Sequence, residues 1–166
     1  MAYINLPKIS RMPLFIEYKR SLSKVNNMLL DFLSTWKNAE DWGILFLRIV
    51  IGIIFLYHGR MKWNMRGMEP NEQMNAGMIK FMVFLGVMEI LGSLGLFFGF
   101  LTNFAAIGLS IIMVGAIIMK RSQMKVGFAE QNNTGWEFDL MILAGTVLLV
   151  IVGGGSLALD HYVFGL

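Results

Sequence analysis

Four long apolar runs follow the first 42 residues of the chain, and they predict membrane-spanning helices. They cover approximately residues 43–57, 79–98, 104–119 and 138–155. Each is close to the roughly 20 residues that an α-helix needs to cross about 30 Å of hydrocarbon, and none shows the alternation typical of a strand. Because the connections between the runs are short, the sequence predicts an all-α fold: an antiparallel bundle of four transmembrane helices.

The first 40 residues have a different pattern, which predicts an amphipathic helix. Apolar side chains recur there at steps of three and four residues: Leu14, Phe15, Tyr18, Leu22, Val25, Leu29, Phe32, Leu33 and Trp36. Basic and polar residues fall between them, as in helices that lie in the membrane interface. The alternative is that the apolar face packs on a partner subunit. We therefore predict an N-terminal arm, 1–40, with this helix, followed by a four-helix membrane domain, 41–166.

Composition agrees with a membrane protein and narrows its chemistry. Hydrophobic residues make up 56% of the chain and charged residues 15%, a balance that a water-soluble domain of this size does not hide in one core. The chain has no cysteine, so its side chains form no disulfide and no thiolate metal site. We expect no metal site and no intrinsic cofactor. The net charge of +3 comes from basic residues outside the apolar runs, which suit lipid headgroups better than nucleic acid.

Two charged residues interrupt the apolar runs and carry the first functional hypothesis. Arg48 lies about five residues into the first run and Glu89 near the middle of the second. An unpaired charge at such depth costs at least a few kcal/mol, so we expect the two to pair inside the bundle. Asp160, just past the fourth run, is a second candidate partner for Arg48. This buried polar cluster either locks the helix register or forms a ligand or proton site.

A second candidate site lies at the far end of the first run. His58 ends that run, and the predicted topology places it on the same side as Lys62 and Glu137. These residues suggest an interfacial polar mouth, although a solvated histidine cap is the simpler alternative. His161 falls on the opposite side, so the two histidines do not ligate one metal or haem.

Small residues in the second and third runs predict close helix packing. They are Gly92, Gly95 and Gly99 in the second run and Gly108 and Gly115 in the third. Glycine lets helix backbones approach closely in lipid, where packing replaces the hydrophobic effect as the force that joins helices.

Several short motifs, in order, resemble those of the DoxX family of four-helix membrane proteins. They are Leu47, Arg48, Gly52, His58, Gly59 and Lys62, then Glu89, Gly92, Gly99, Thr102, Ala105 and Ala106, and finally Gly135, Glu137, Leu140, Gly153, Gly155, Leu159 and Asp160. The resemblance covers about 42–160. Gly154 and Ala158 stand where the family often has proline and serine, so a ligand contact that depends on that serine is not expected. The resemblance implies a membrane subunit of the kind found in redox assemblies such as thiosulfate:quinone oxidoreductase.

We expect this chain to act mainly by docking within a larger membrane redox complex, because it has no catalytic motif of its own. The alternative is an oxidoreductase subunit that holds a quinone, with Arg48, Glu89 and His58 as polar contacts or proton relays. A small transporter ranks last, since no pair of broken helices is evident. The expected partners are the lipid bilayer and other integral membrane subunits. We expect a multi-pass protein of the cell membrane whose termini face the cytoplasm, where anionic lipid attracts the basic arm.

Overall fold

The computed structural model describes residues 13–72, 74–129 and 134–165, and the regular structure in these ranges is entirely helical. The helices are α1 (Pro13–Asn64), α2 (Ala76–Phe98), α3 (Thr102–Ser122), α4 (Trp136–Val152) and α5 (Leu159–Phe164), with a short 3-10 turn at Met65–Gly67. The predicted all-α class is confirmed. Of the residues in the predicted amphipathic pattern, the side chains of Leu14 and Phe15 lie outside the description.

Several of these helices are long and apolar enough to cross a membrane. By length and composition, three qualify: a stretch within α1, and the whole of α2 and α3. α4 has 17 residues, at the short end of the range for a spanning helix. That the chain crosses the bilayer four times stays a prediction.

Local chemistry explains where the helices begin and end. Asn75 caps α2, since its side-chain oxygen accepts a hydrogen bond of 2.8 Å from the backbone N–H of Met78. α2 ends at Gly99, whose φ of 64° lies in the left-handed region, where glycine avoids the steric cost of a side chain. α3 begins three residues later, so the α2–α3 turn is tight.

The chain divides into two compact units, Met1–Glu40 and Asp41–Leu166. In the first unit, the arm, every side chain from Ile16 to Trp36 is exposed. In the second unit, fully buried Phe55, Leu96, Leu109 and Leu149 form the centre of the core. Many large apolar side chains of this unit point outward, such as Phe104 and Ile151, which are 72% and 74% exposed. An apolar outer surface is what lipid requires of a membrane bundle.

Glycines mark the places where helices of the second unit touch. A Cβ atom added to Gly59 would lie 2.8 Å from the carbonyl oxygen of Gly86, and the reverse distance is also 2.8 Å. The predicted packing is confirmed at Gly92, where an added Cβ would lie 2.8 Å from the side chain of Leu109. It is wrong for Gly108 and Gly115, which are exposed and have no such neighbour within 4 Å, because α3 does not meet another helix closely at these two positions.

Candidate functional site

Arg48 is the centre of a buried polar cluster where α2 and α4 end. Its side chain is 1% exposed. Nε donates to the carbonyl oxygen of Leu96 (2.9 Å), Nη1 to that of Gly154 (2.8 Å) and Nη2 to that of Phe97 (3.3 Å). The last carbonyls of a helix have no intrahelical donor and carry partial negative charge, so a guanidinium suits this position. Arg48 thus joins α1 to the end of α2 and to the segment after α4.

The expected ion pair between Arg48 and Glu89 is wrong. Arg48 bonds at Leu96, seven residues beyond Glu89 in α2, which corresponds to about 11 Å along the helix axis. Glu89 forms an ion pair with Lys62 instead. The two buried charges expected to neutralise each other therefore occupy different levels of the bundle, and each has partners of its own.

Glu89 and Lys62 form the second polar contact, beside the Gly59–Gly86 approach of α1 and α2. The Glu89 side chain is 1% exposed and that of Lys62 27%. Within the described residues, Oε2 of Glu89 has no hydrogen-bond partner. Lys62 lies five residues beyond the first apolar run, and a long lysine side chain can reach back inward from such a position. The position of Lys62 can be read from the sequence. Its ion pair with Glu89 cannot, because it forms only where α1 and α2 touch.

Asp160 caps α3 from a distant point in the sequence. Its carboxylate accepts the backbone N–H of Leu101 (2.7 Å) and of Thr102 (2.8 Å), two donors that the first turn of a helix leaves without a partner. Asp160 also interacts electrostatically with Arg48. Gly99 lies between them: a Cβ at this position would collide with Nη2 of Arg48. The structure thus places Arg48 and Asp160 at the same end of the bundle, without Glu89. Within the described residues the two form no ion pair, since Arg48 donates to carbonyls and Asp160 accepts backbone N–H groups.

Two further polar contacts were missed by the sequence interpretation. Asp41, at the same end as Arg48, accepts the N–H of Ser156 (2.9 Å) and its hydroxyl (2.5 Å). Towards the other end, Nζ of Lys120 lies 2.7 Å from Oδ2 of Asp139, and this pair joins α3 to α4. The sequence offered one signal for this second contact: Lys120 follows the third apolar run and the oppositely charged Asp139 lies at the start of the fourth.

The predicted polar mouth does not form a connected group. His58 is half-buried and its ring lies edge-on to that of Tyr57, with 6.2 Å between centroids. Lys62 bonds to Glu89, and Glu137 lies half-buried in the first turn of α4. In the part of the chain that the structure covers, no hydrogen bond or ion pair links His58 to Lys62 or Glu137.

Among the cavities that the described residues of the second unit form, two are large enough to hold a ligand. An apolar groove of about 770 Å³ runs between α2 and α3, and its lining includes Phe84, Gly92, Phe98 and Gly108. A smaller cleft of about 540 Å³ lies where α3 begins and α4 ends. Neither is lined by Arg48, Glu89 or His58. Among the described residues no group of acidic residues and histidines is arranged to hold a metal ion.

Comparison with known proteins agrees with the motifs and the helices. Residues 43–121 match the sequence profile of the DoxX family. Over 125 residues the chain is 34% identical to a protein of Bacillus subtilis (strain 168) named "Putative oxidoreductase CatD", with 74% of this chain and 87% of that relative covered. No solved structure matches the chain. The chain therefore belongs to the DoxX family of membrane proteins.

Proposed function

We propose that this chain is a docking subunit of a larger membrane redox complex, and that its own side chains do not carry the redox chemistry. The redox context rests on the relative named as an oxidoreductase. The docking role rests on the internal contacts of the buried charges. A residue that binds a substrate keeps a donor or acceptor directed into a cavity, whereas these residues direct theirs into the protein.

Arg48 carries this argument. Its three hydrogen bonds all go to main-chain carbonyls, and its side chain is almost completely buried. If Arg48 turned to a ligand instead, the carbonyls of Phe97 and Gly154 would lose their donor, at a cost of about 1–3 kcal/mol for each. Arg48 thus supports the bundle. Glu89 gives weaker support, because Oε1 pairs with Lys62 while Oε2 has no partner within the described residues.

The arm supplies the docking surface in this proposal. Tyr18, Leu22, Val25, Leu29 and Phe32 fall on one face of the helix and are between 45% and 61% exposed. A continuous apolar face of this kind is typical of a helix that packs into a groove on a partner. An integral membrane subunit of the same complex is the proposed partner, and the membrane interface is the competing one.

The test compares two arm variants in the assembly purified from its native membrane with a mild detergent. Leu22→Asp with Leu29→Asp charges the apolar face, and Ser23→Asp with Asn27→Asp adds the same charge to the opposite face. We expect the first to separate the chain from its partner polypeptides and the second to leave them associated. Equal co-purification of partners with both variants would contradict docking through this face.

The alternative is a subunit that holds a quinone, and the apolar groove between α2 and α3 is the observation that favours it. Its volume of about 770 Å³ is sufficient for a ring and part of an isoprenoid tail. However, its lining residues are all apolar, so the groove offers quinone carbonyls no side-chain donor. Bound quinone and turnover in an intact assembly carrying Ile111→Trp, which enlarges a side chain lining this groove, distinguish the two functions. Both are expected to match the unsubstituted assembly, and a loss of bound quinone and turnover would favour the quinone site.

A further inference from the structure

The apolar face of the arm follows a strict seven-residue repeat. Its residues are separated alternately by four and three positions, as at positions a and d of a heptad abcdefg: position a holds Leu22, Leu29 and Trp36, and position d holds Tyr18, Val25 and Phe32. On a straight α-helix such a row rotates by about 20° per heptad, and it stays in one line only where helices wind around each other. The repeat therefore favours a coiled coil over a helix that lies on a flat membrane surface.

The arm is helical although one copy of the chain does not cover its apolar face. α1 includes the arm from Pro13 onwards, and every side chain from Ile16 to Trp36 is exposed. Most of the stability of a helix in a protein comes from packing of its apolar face. Within the described residues the arm lacks this packing, so a partner outside the chain is needed to supply it.

The residues that flank the a and d positions fit a second copy that runs in the same direction. In a parallel pair, each residue at position g faces the residue at position e five places later in the other copy. Ser21 then faces Asn26, and Met28 faces Leu33, so polar residues meet polar ones and apolar residues meet apolar ones. An antiparallel pair centred on the same row would place Lys19 against Leu33. The parallel arrangement is therefore the better match.

The charges of the arm lie almost entirely away from this row. Five charged residues fall between positions 16 and 36, and they are Glu17, Lys19, Arg20, Lys24 and Asp31. Lys19 alone among them occupies an e or g position, so no like charges meet across a parallel pair. Three basic and two acidic residues give this stretch a net charge of +1, which attracts an anionic membrane surface only weakly. Ile16 and Leu30 are apolar at position b, and single exposed apolar residues of this kind are common on protein surfaces.

We propose that the arm pairs with the arm of a second copy of this chain as a parallel, in-register coiled coil. The inference rests on the docking function proposed above and identifies the partner that the arm binds. Such a pair has two-fold symmetry, so each residue at position a or d packs against its own counterpart. The a and d residues, which are between 45% and 62% exposed in one copy, become the buried core of the pair.

Single cysteines report this contact directly, because the chain contains no cysteine of its own. The full chain is produced without its native partners, and the isolated membranes are oxidised with copper phenanthroline. Tyr18→Cys and Phe32→Cys lie at position d, and their controls Arg20→Cys and Ser34→Cys lie at position f on the outer face. We expect at least about tenfold more disulfide-linked dimer from the position d variants, because only there do the two Cα atoms approach within disulfide range. Equal dimer yields from the two positions would overturn the pairing.

Charging the a positions provides a second measurement. Leu22→Asp with Leu29→Asp, added to Phe32→Cys, should lower the dimer yield by about tenfold or more, since the pair would bury carboxylates that have no cation beside them. The matched control adds Ser23→Asp with Asn27→Asp at positions b and f, and it should leave the yield unchanged. A dimer yield that neither double variant alters would contradict the coiled coil.

The self-pairing and docking proposals fail in different ways. Suppose that the position d cysteines give no excess dimer in the chain produced alone, while Leu22→Asp with Leu29→Asp still separates the native assembly. Self-pairing is then overturned and docking on a different subunit stands. If the position d cysteines do link two copies, but the native assembly keeps its partners in both arm variants, the pairing stands and the docking proposal fails.

Discussion

Nη1 of Arg48 donates to the main-chain carbonyl of Gly154 over 2.8 Å, and this contact joins residues 106 positions apart in the sequence. Gly154 belongs to the segment that follows α4, and the same guanidinium also bonds to Leu96 and Phe97 at the end of α2. One side chain therefore connects three parts of the bundle at the end where α3 begins.

Replacing Arg48 is expected to destabilise the bundle strongly. Arg48→Met keeps much of the side-chain volume but removes the donor of the Phe97 and Gly154 carbonyls and one of the two donors of the Leu96 carbonyl, so we expect the free energy of unfolding to fall by about 2–5 kcal/mol. Arg48→Lys should recover only part of this, because an ammonium lacks the planar fork of a guanidinium. Equilibrium unfolding by sodium dodecyl sulfate in mixed micelles measures the free energy of unfolding of both variants. Exposed Arg60 is the control: Arg60→Met should change the value by less than about 0.5 kcal/mol.

The two partners of the Lys62–Glu89 pair should respond unequally to substitution. Lys62→Met leaves a carboxylate that is 1% exposed without its cation, at a cost of about 3–5 kcal/mol. Glu89→Gln should cost less, because the Lys62 side chain is 27% exposed and can move towards water. The double variant Lys62→Met with Glu89→Gln should recover much of the loss. Strictly additive effects in a double-mutant cycle would show that the pair is not coupled.

Glycine substitutions should separate helix contacts from open helix faces. Gly59→Ala and Gly86→Ala each place a methyl group 2.8 Å from a carbonyl oxygen of the facing helix, so we expect a loss of roughly 1–3 kcal/mol from overpacking. Gly108→Ala and Gly115→Ala meet nothing within 4 Å and should be neutral or stabilising by up to about 1 kcal/mol, since alanine favours the helix. Thermal unfolding in one detergent compares the four variants. Equal losses of stability in both pairs of variants would contradict the close contact between α1 and α2 at Gly59 and Gly86.

Four membrane crossings can be tested with single cysteines, because the chain contains none. We expect Asn27→Cys and Tyr162→Cys to react with a membrane-impermeant maleimide on one side of sealed vesicles. Glu69→Cys and Met124→Cys, in the connections between helices, should react on the other side. In intact cells, cytoplasmic termini would make only the second pair accessible. Finding Asn27 and Tyr162 on opposite sides would instead require an odd number of crossings.

The sequence by itself determined the helical class, the membrane-spanning character and the family. These follow from local properties: each apolar run is continuous over the length of a spanning helix, and hydropathy is read one residue at a time. The proximity of Arg48 and Asp160 also followed from topology, because consecutive antiparallel helices place the start of the first near the end of the fourth. The end of α2 could be anticipated from Gly99, since glycine commonly ends helices.

Only the tertiary structure decided which partners the buried charges have. Whether Arg48 meets Glu89 depends on the height at which α1 and α2 touch, and that height is set by the Gly59–Gly86 contact, which places Lys62 rather than Arg48 beside Glu89. The acceptors that Arg48 uses are main-chain carbonyls. Every residue carries such a carbonyl, so no sequence pattern distinguishes those at Leu96, Phe97 and Gly154 from the rest. They become acceptors only where a helix ends and the fold brings a guanidinium to that end.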